Sequence, residues 1–285
     1  MQNDVSSIAI IGAGTMGSGI ALAAATAGID ALQVDVESEQ LERAKAYHQK
    51  VLGRSVQKER MTQDEADAAV ARISFHSEMD TTAEAQWAVE AASENLEVKR
   101  AIFTAMAETY SSEVVLATNT SSISITQLAA TVPQHADRVI GMHFFNPVPI
   151  MKLVEVIRGL QTSDTTVTRT VALAEAMGKT PIAANDRAGF VSNRVLMPMI
   201  NEAFHAWMEG VADPEAIDGI MQLGCNFPMG PLRLADFIGL DVCHDIMMVM
   251  YRELGDQKYF PSPKLRELVT SGRLGDKTGH GVYEH

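Results

Sequence analysis

Residues 8–21 read IAIIGAGTMGSGIA, and this stretch decides the fold. An apolar, β-branched run ends where Gly12, Gly14 and Gly17 stand in a G-x-G-x-x-G arrangement, and a helix-forming segment follows. In that context each glycine has a physical task. Gly12 permits the tight turn out of a strand, Gly14 lets backbone approach a pyrophosphate, and Gly17 lets helix and strand pack closely. The helix that opens at Thr15 and Met16 presents free N–H groups and the positive end of its dipole to the phosphates. The next strand-like run, ALQVDVE, carries Asp35, 18 residues beyond Gly17. An acid at that place hydrogen-bonds an adenosine ribose 2′-hydroxyl and repels a 2′-phosphate. The combination predicts NAD as the cofactor, ahead of NADP and flavin.

Outward from the glycine turn, β-branched runs at residues 5–11, 31–36, 87–91, 114–118, 138–144 and 152–157 read as strands. Between several of them lie helix-length segments at 15–27, 38–59, 98–109 and 165–177. That alternation places the chain in the α/β class, with βαβ units and a largely parallel sheet. After residue 186 the strands stop. A helix is expected over 189–208, kinked at its internal Pro198. Asp213-Pro214 opens another, as N-cap and first helical residue, and Gly224 closes it. Residues 227–231 read as a turn, and 232–254 and 263–269 as helices. The predicted organisation is a Rossmann-like, doubly wound sheet domain over residues 1–185, then a smaller all-α domain over 186–285. At 285 residues the chain also exceeds what one hydrophobic core usually serves. The methionines of the second part, such as Met221, Met229 and Met247, fit ordinary helix core better than a special interface or pocket.

Composition excludes several functions. With 23 Lys and Arg against 36 Asp and Glu the formal charge is −13, the wrong sign for a protein that binds nucleic acid through phosphates. Cys225 and Cys243 have neither metal-ligand spacing nor a disulfide framework, so no metal is expected and a reducing compartment is. No apolar run approaches the ~20 residues of a membrane span, and the N-terminus lacks the basic and apolar regions of a secretory signal. The expected location is the cytoplasm, with no membrane partner.

A nicotinamide cofactor accepts hydride from an alcohol only when another group removes the hydroxyl proton. In RVIGMHFFNPVP, His143 stands at a strand's C-terminal end. A lone histidine there is more often structural. In MKLVEVI, however, alternation puts Glu155 on the face of Met151, Leu153 and Ile157, and a carboxylate on an apolar face must be paired or neutralised. A histidine from a neighbouring strand is a suitable partner, fixing the tautomer and stabilising imidazolium. The run VVLATNTSS ends another strand in a cluster from Asn119 to Ser122, equally readable as a Ser/Thr-rich turn.

The strings GAGTMGSGIA, NTSS, GMHFFNPVPIMKLVEVI, AGFVSNRVLMPMINEA, FPMGPLRLADFIGLD and KTGHGVY together resemble the L-3-hydroxyacyl-CoA dehydrogenase family, most closely its bacterial 3-hydroxybutyryl-CoA members. The resemblance spans essentially the whole chain. It implies His143 as catalytic base, Glu155 as its orienting carboxylate, Ser121 as a contact to substrate and cofactor, and Asn193 as a substrate-binding side chain. It further implies cofactor contacts from Glu94, Lys99, Asn146 and Lys277, with Glu90 competing with Glu94 if the strand ends differently. Lys50, Arg54 and Lys58 recur every fourth residue on one helix face. They are candidates for the CoA phosphates, on a par with a merely solvated basic face. The implied reaction is reversible oxidation of a short-chain L-3-hydroxyacyl-CoA, by a homodimer joined through the helical domain. Ala188 departs from the proline of many members, the loop at 133–136 is one residue longer, and Arg233 and Ala235 leave acyl length open. Two alternatives stay in view: a dehydrogenase of a free hydroxy acid or sugar acid, like the lens lambda-crystallin relatives, and a non-catalytic NAD-binding protein. A dehydrogenase module of a multifunctional β-oxidation protein is disfavoured, since no hydratase-like segment accompanies it.

Overall fold

The structure, a computed structural model, describes residues 5–285. Contacts divide it into two compact units, one ending at Asp186 and one comprising Arg187–His285.

The first unit runs β1 (Ser7–Ile11), α1 (Thr15–Thr26), β2 (Asp30–Val34), α2 (Ser38–Gln57), α3 (Gln63–Ala71), β3 (Ile73–His76), β4 (Trp87–Glu90), α4 (Leu96–Thr109), β5 (Val115–Thr118), α5 (Ile125–Ala129), β6 (Val139–Phe144), β7 (Leu153–Arg158), α6 (Asp164–Ala176) and β8 (Thr180–Asn185). Its eight strands form one sheet in the order β3-β2-β1-β4-β5-β6-β7-β8. All neighbours are parallel except β6 and β7. Parallel strands are covered on both faces and so need continuous apolar runs. β4, β5 and β6 are buried at every residue and apolar except for Glu90, Thr118 and His143 near their C-terminal ends. Ile8, Ile10 and Ile20 pack with Val89, Val115, Ile140, Met142 and Val156 in one core. Burying each such branched side chain contributes about 1.5–3 kcal/mol.

Order matters more to function than packing. The chain leaves β1 toward β2 and β3, then returns to the other side of β1 as β4. Where direction reverses, the C-terminal ends of β1 and β4 open a crevice, the usual ligand site of such sheets.

Two strands lie outside the sequence expectation. β3 and β8 are the sheet's edges, where a strand needs no continuous apolar run, and β8 (TPIAAN) is half-exposed along its length.

The second unit is helical: α7 (Ser192–Met208), α8 (Pro214–Cys225), α9 (Pro231–Ile238), α10 (Leu240–Leu254) and α11 (Pro263–Thr270). Its core gathers Met197, Phe204, Leu232, Cys243, Met247 and Leu265. α7 continues through Pro198. Gly224 does not end α8, which runs on to Cys225 and stops where Asn226 turns left-handed. The single helix expected over 232–254 is two. Gly239 at φ +106° breaks it, a conformation L side chains rarely adopt. No described helix is long and apolar enough to cross a membrane.

Candidate functional site

The first element is the glycine turn. Gly12 adopts φ +115°, and a Cβ there would lie 2.6 Å from the Ala91 carbonyl oxygen at the end of β4. A Cβ on Gly17 would lie 2.0 Å from the Gly12 carbonyl oxygen, so only glycine lets α1 start this close to β1. Around Gly14, by contrast, a Cβ meets nothing within 4 Å: the space is open. Gly14 and Thr15 are exposed, Met16 is half-buried, and no side chain caps the N-terminus of α1. A dinucleotide pyrophosphate fits such a turn. Asp35, just past β2, accepts the Ala13 N–H at 2.8 Å through Oδ2 and the Glu37 N–H at 2.9 Å through Oδ1. That fixes a carboxylate beside the turn.

Beneath the turn lies a polar chain that no sequence pattern flagged. Ser18 Oγ donates to the Ala13 carbonyl, Gln33 Nε2 donates to Ser18 Oγ, and His48 Nε2 faces the Ser18 carbonyl at 3.0 Å. Gln33 and His48 are both buried, and burial pushes the His48 imidazole below its usual range, against a smaller opposing effect of the Ser18 bond. Gln33 is marked in the sequence only by its polarity inside an apolar strand, and His48, on the otherwise polar α2, only by its spacing of four from Ala44 and Leu52.

On the neighbouring strand, the end of β4 and the loop after it carry charge. Lys99, in the first turn of α4, is buried and pairs with Glu90, itself wholly buried. Glu94 is more open and stands 3.7 Å from the same ammonium. Glu94 Oε1 accepts from the Thr120 hydroxyl, the Ser121 and Ser122 backbone N–H groups and the Ser121 and Ser122 hydroxyls. Partial burial works against the Glu94 charge. The Lys99 charge and the donors from Thr120, Ser122 and Ser121 outweigh it, holding the carboxyl below the ordinary carboxylate range. The hydroxyl cluster of β5 is thus clamped by a carboxylate from the neighbouring loop.

On β6 and β7 the antiparallel register sets His143 directly opposite Glu155. Both are buried, and His143 Nδ1 meets Glu155 Oε2 at 2.8 Å. A carboxylate oxygen accepts, so the ring proton sits on Nδ1 and Nε2 is the basic nitrogen. The Phe145 ring lies 4.6 Å from the imidazole, centroid to centroid. Asn119 Oδ1 accepts the Phe144 N–H at 2.9 Å and ties the end of β5 to the residue after His143. This strut was visible in the sequence only as a member of a polar cluster. Asn146 is exposed on the loop beyond.

Lys50 and Arg54 are exposed on α2, and Lys58, also exposed, caps its C-terminus. In the second unit, Asn193 is buried in the first turn of α7, and Lys277 pairs with Asp241. Among the described residues no cluster of three or more His, Cys, Asp or Glu is arranged to hold a metal ion.

Residues 7–187 match the 3-hydroxyacyl-CoA dehydrogenase NAD binding domain, and residues 189–285 the C-terminal domain of the same family. The chain belongs to the 3-hydroxyacyl-CoA dehydrogenase family. Among its relatives, a probable 3-hydroxybutyryl-CoA dehydrogenase of Deinococcus radiodurans is 51% identical, over 97% of this chain and 99% of that protein. A 3-hydroxyadipyl-CoA dehydrogenase of Escherichia coli is 42% identical over 100% of this chain and 60% of its own length. The crystal structure of an (S)-3-hydroxybutyryl-CoA dehydrogenase from Ralstonia eutropha superposes with a TM-score of 0.96 at 48% identity, covering 99% of both chains. This 3-hydroxyacyl-CoA dehydrogenase is therefore an oxidoreductase, and its cofactor is NAD. The glycine turn and Asp35 are the groups of this chain that suit the dinucleotide. When bound, NAD supplies the hydride acceptor.

Proposed function

We propose that the chain oxidises the 3-hydroxyl of short-chain L-3-hydroxyacyl-CoA thioesters, reversibly, with His143 as the proton acceptor. The observation that carries this reading is the buried His143–Glu155 pair at 2.8 Å, on strands whose end lies on the same sheet edge as the glycine turn. In the oxidative direction His143 Nε2 takes the hydroxyl proton while the C3 hydrogen departs as hydride, so the alcohol loses two electrons and becomes a ketone. Glu155 stabilises the imidazolium that forms, and keeps Nε2 the basic nitrogen throughout. Ser121, held by Glu94, is assigned to orient the substrate oxygen and the cofactor, and Asn146 and Lys277 to cofactor contact. Asn193 is assigned to the substrate from the second unit.

The short acyl chain is supported by the 3-hydroxybutyryl-CoA dehydrogenases among the relatives. The exposed Lys50, Arg54 and Lys58 are the cations offered to the CoA phosphates in an otherwise acidic protein. A homodimer through the helical unit is supported by Ile220 and Leu223 of α8, which expose 64% and 91% of their surface. Aliphatic groups this open, one turn apart on one helix, suit a second copy.

One assay tests the reading. Oxidation of NADH is followed with acetoacetyl-CoA, longer 3-ketoacyl-CoAs, acetoacetyl-pantetheine and free acetoacetate, then with NADPH in place of NADH. The expected order is acetoacetyl-CoA first, the pantetheine thioester weaker through KM, and free acetoacetate and NADPH far behind. His143→Ala should abolish turnover and leave NAD affinity within a few-fold. A fully active variant, or equal turnover of the free acid, overturns the assignment.

A further inference from the structure

The Glu90–Lys99–Glu94 chain enters the scheme above only through Glu94, yet its geometry is specific. Glu90 Oε2 accepts from Lys99 Nζ at 2.5 Å and from the Thr118 hydroxyl at 2.7 Å. Its Oε1 accepts the Ala92 N–H at 2.9 Å, so both oxygens are engaged and the carboxylate cannot turn. Lys99 is 2% exposed and leans to this inner partner; the outer one, Glu94, is 3.7 Å away with 41% of its side chain exposed. Charges of −1, +1 and −1 leave a net −1, and the unequal distances put that excess on the open member.

The open member stands beside the ends of β4 and β5, two of the strands between β1 and β6. Pyrophosphate belongs at the glycine turn after β1, and hydride must be handed over beside His143 on β6. β4 and β5 lie between those strands, each step across the sheet being about 4.8 Å. A dinucleotide seated on that turn would therefore carry its nicotinamide half past the ends of β4 and β5, where Glu94 and its hydroxyl donors stand. That ring is a cation when oxidised and neutral when reduced. A fixed negative charge near it favours the oxidised form, and a neutral site does not.

We propose that Glu90 is a positioning residue that keeps Lys99 turned inward, leaving Glu94 with a net negative charge that biases the site toward NAD+ over NADH. The proposal rests on the NAD-dehydrogenase reading above. Glu90 touches neither reactant. It acts by withholding a cation: without it, Lys99 swings to Glu94 and cancels the charge the ring would meet.

The experiment measures two dissociation constants on the full-length chain, by calorimetry for NAD+ and by cofactor fluorescence for NADH, at fixed ionic strength and neutral pH. The quantity of interest is the ratio Kd(NADH)/Kd(NAD+). Glu90→Gln is expected to lower it about fivefold, the size of one unit charge acting across a partly solvated gap of several ångströms. Adding Lys99→Met removes the cation as well and leaves Glu94 alone at −1; because the family resemblance also gives Lys99 a cofactor contact, both affinities are expected to fall together while the ratio returns to within twofold of wild type. A purely structural role for Glu90 would weaken both cofactors in parallel and leave the ratio in Glu90→Gln where it was. Either result, an unchanged ratio in Glu90→Gln or a ratio still depressed in the double variant, overturns the proposal. Should Glu90→Gln fail to fold, the double variant is compared with Glu94→Gln, which keeps a neutral buried pair. The ratio should then differ about fivefold in favour of the double variant, and equality overturns the proposal. Failure of the wild-type chain to bind either cofactor would remove the underlying reading and this inference together.

Discussion

Replacing Glu155 by glutamine changes one charge and almost no volume, at a point 2.8 Å from His143 Nδ1. When the imidazole takes a proton its charge centre lies ~4 Å from the carboxylate, and at an effective dielectric of about 20 the attraction is about 4 kcal/mol. Glutamine keeps part of the hydrogen bond through its carbonyl oxygen, so the loss is about 2–4 kcal/mol, or roughly 30- to 1000-fold in kcat. A second route leads the same way. If the amide instead presents its NH2 group, Nδ1 becomes the acceptor, the proton moves to Nε2, and the ring is no longer a base. In the oxidative direction the histidine must be unprotonated. Removing the neighbouring negative charge takes away stabilisation of the imidazolium that forms as the proton arrives, which is where the rate is lost. The assay is steady-state turnover of 3-hydroxybutyryl-CoA with NAD at fixed pH, with NAD affinity and thermal melting measured alongside. A kcat within threefold of wild type, with NAD affinity and melting unchanged, would refute the pairing as a catalytic device.

Two further predictions concern the glycine turn and the histidine beneath it. Gly17→Ala must push apart groups that would stand 2.0 Å from one another, so NAD affinity should fall at least about 100-fold with a lower melting temperature. Gly14→Ala enters open space and should melt within about 1 kcal/mol of wild type while still weakening NAD; equal thermal loss in the two variants would contradict this division. His48 has an imidazole pKa lowered below its usual 6.5, chiefly by burial. The unfolded chain thus takes up this proton first as pH falls. Its contribution to stability is present above about 6.5 and is lost as pH drops through the lower folded value. Urea unfolding between about pH 5 and 7.5 should show that decline, and His48→Gln should flatten it. An identical slope in the variant would exclude His48 as the source.

What was legible in the sequence was what is local. The glycine turn, α1 and Asp35 lie within one βαβ unit, where spacing alone fixes which backbone must bend and which must approach closely. Glu155 betrayed itself as a charge on an apolar strand face, which is a local contradiction, and His143 as a histidine at a strand's end. The edge strands β3 and β8 escaped because an edge strand carries no continuous apolar run. The break at Gly239 escaped because amphipathic periodicity continues on both sides of it, and only the backbone dihedral reveals the stop.

The sequence by itself determined the class of chain, the strand-and-turn geometry for a dinucleotide, and the residue types able to move a proton. The tertiary structure alone decided which of two nearby glutamates owns Lys99, that Glu94 gathers the Thr120–Ser122 donors, and that Asn119 braces the strand end beside His143. The reason is physical. A strand's side-chain alternation is written in its own residues, whereas register between strands, and the partner a buried charge finds across them, exist only once the sheet has assembled and excluded water.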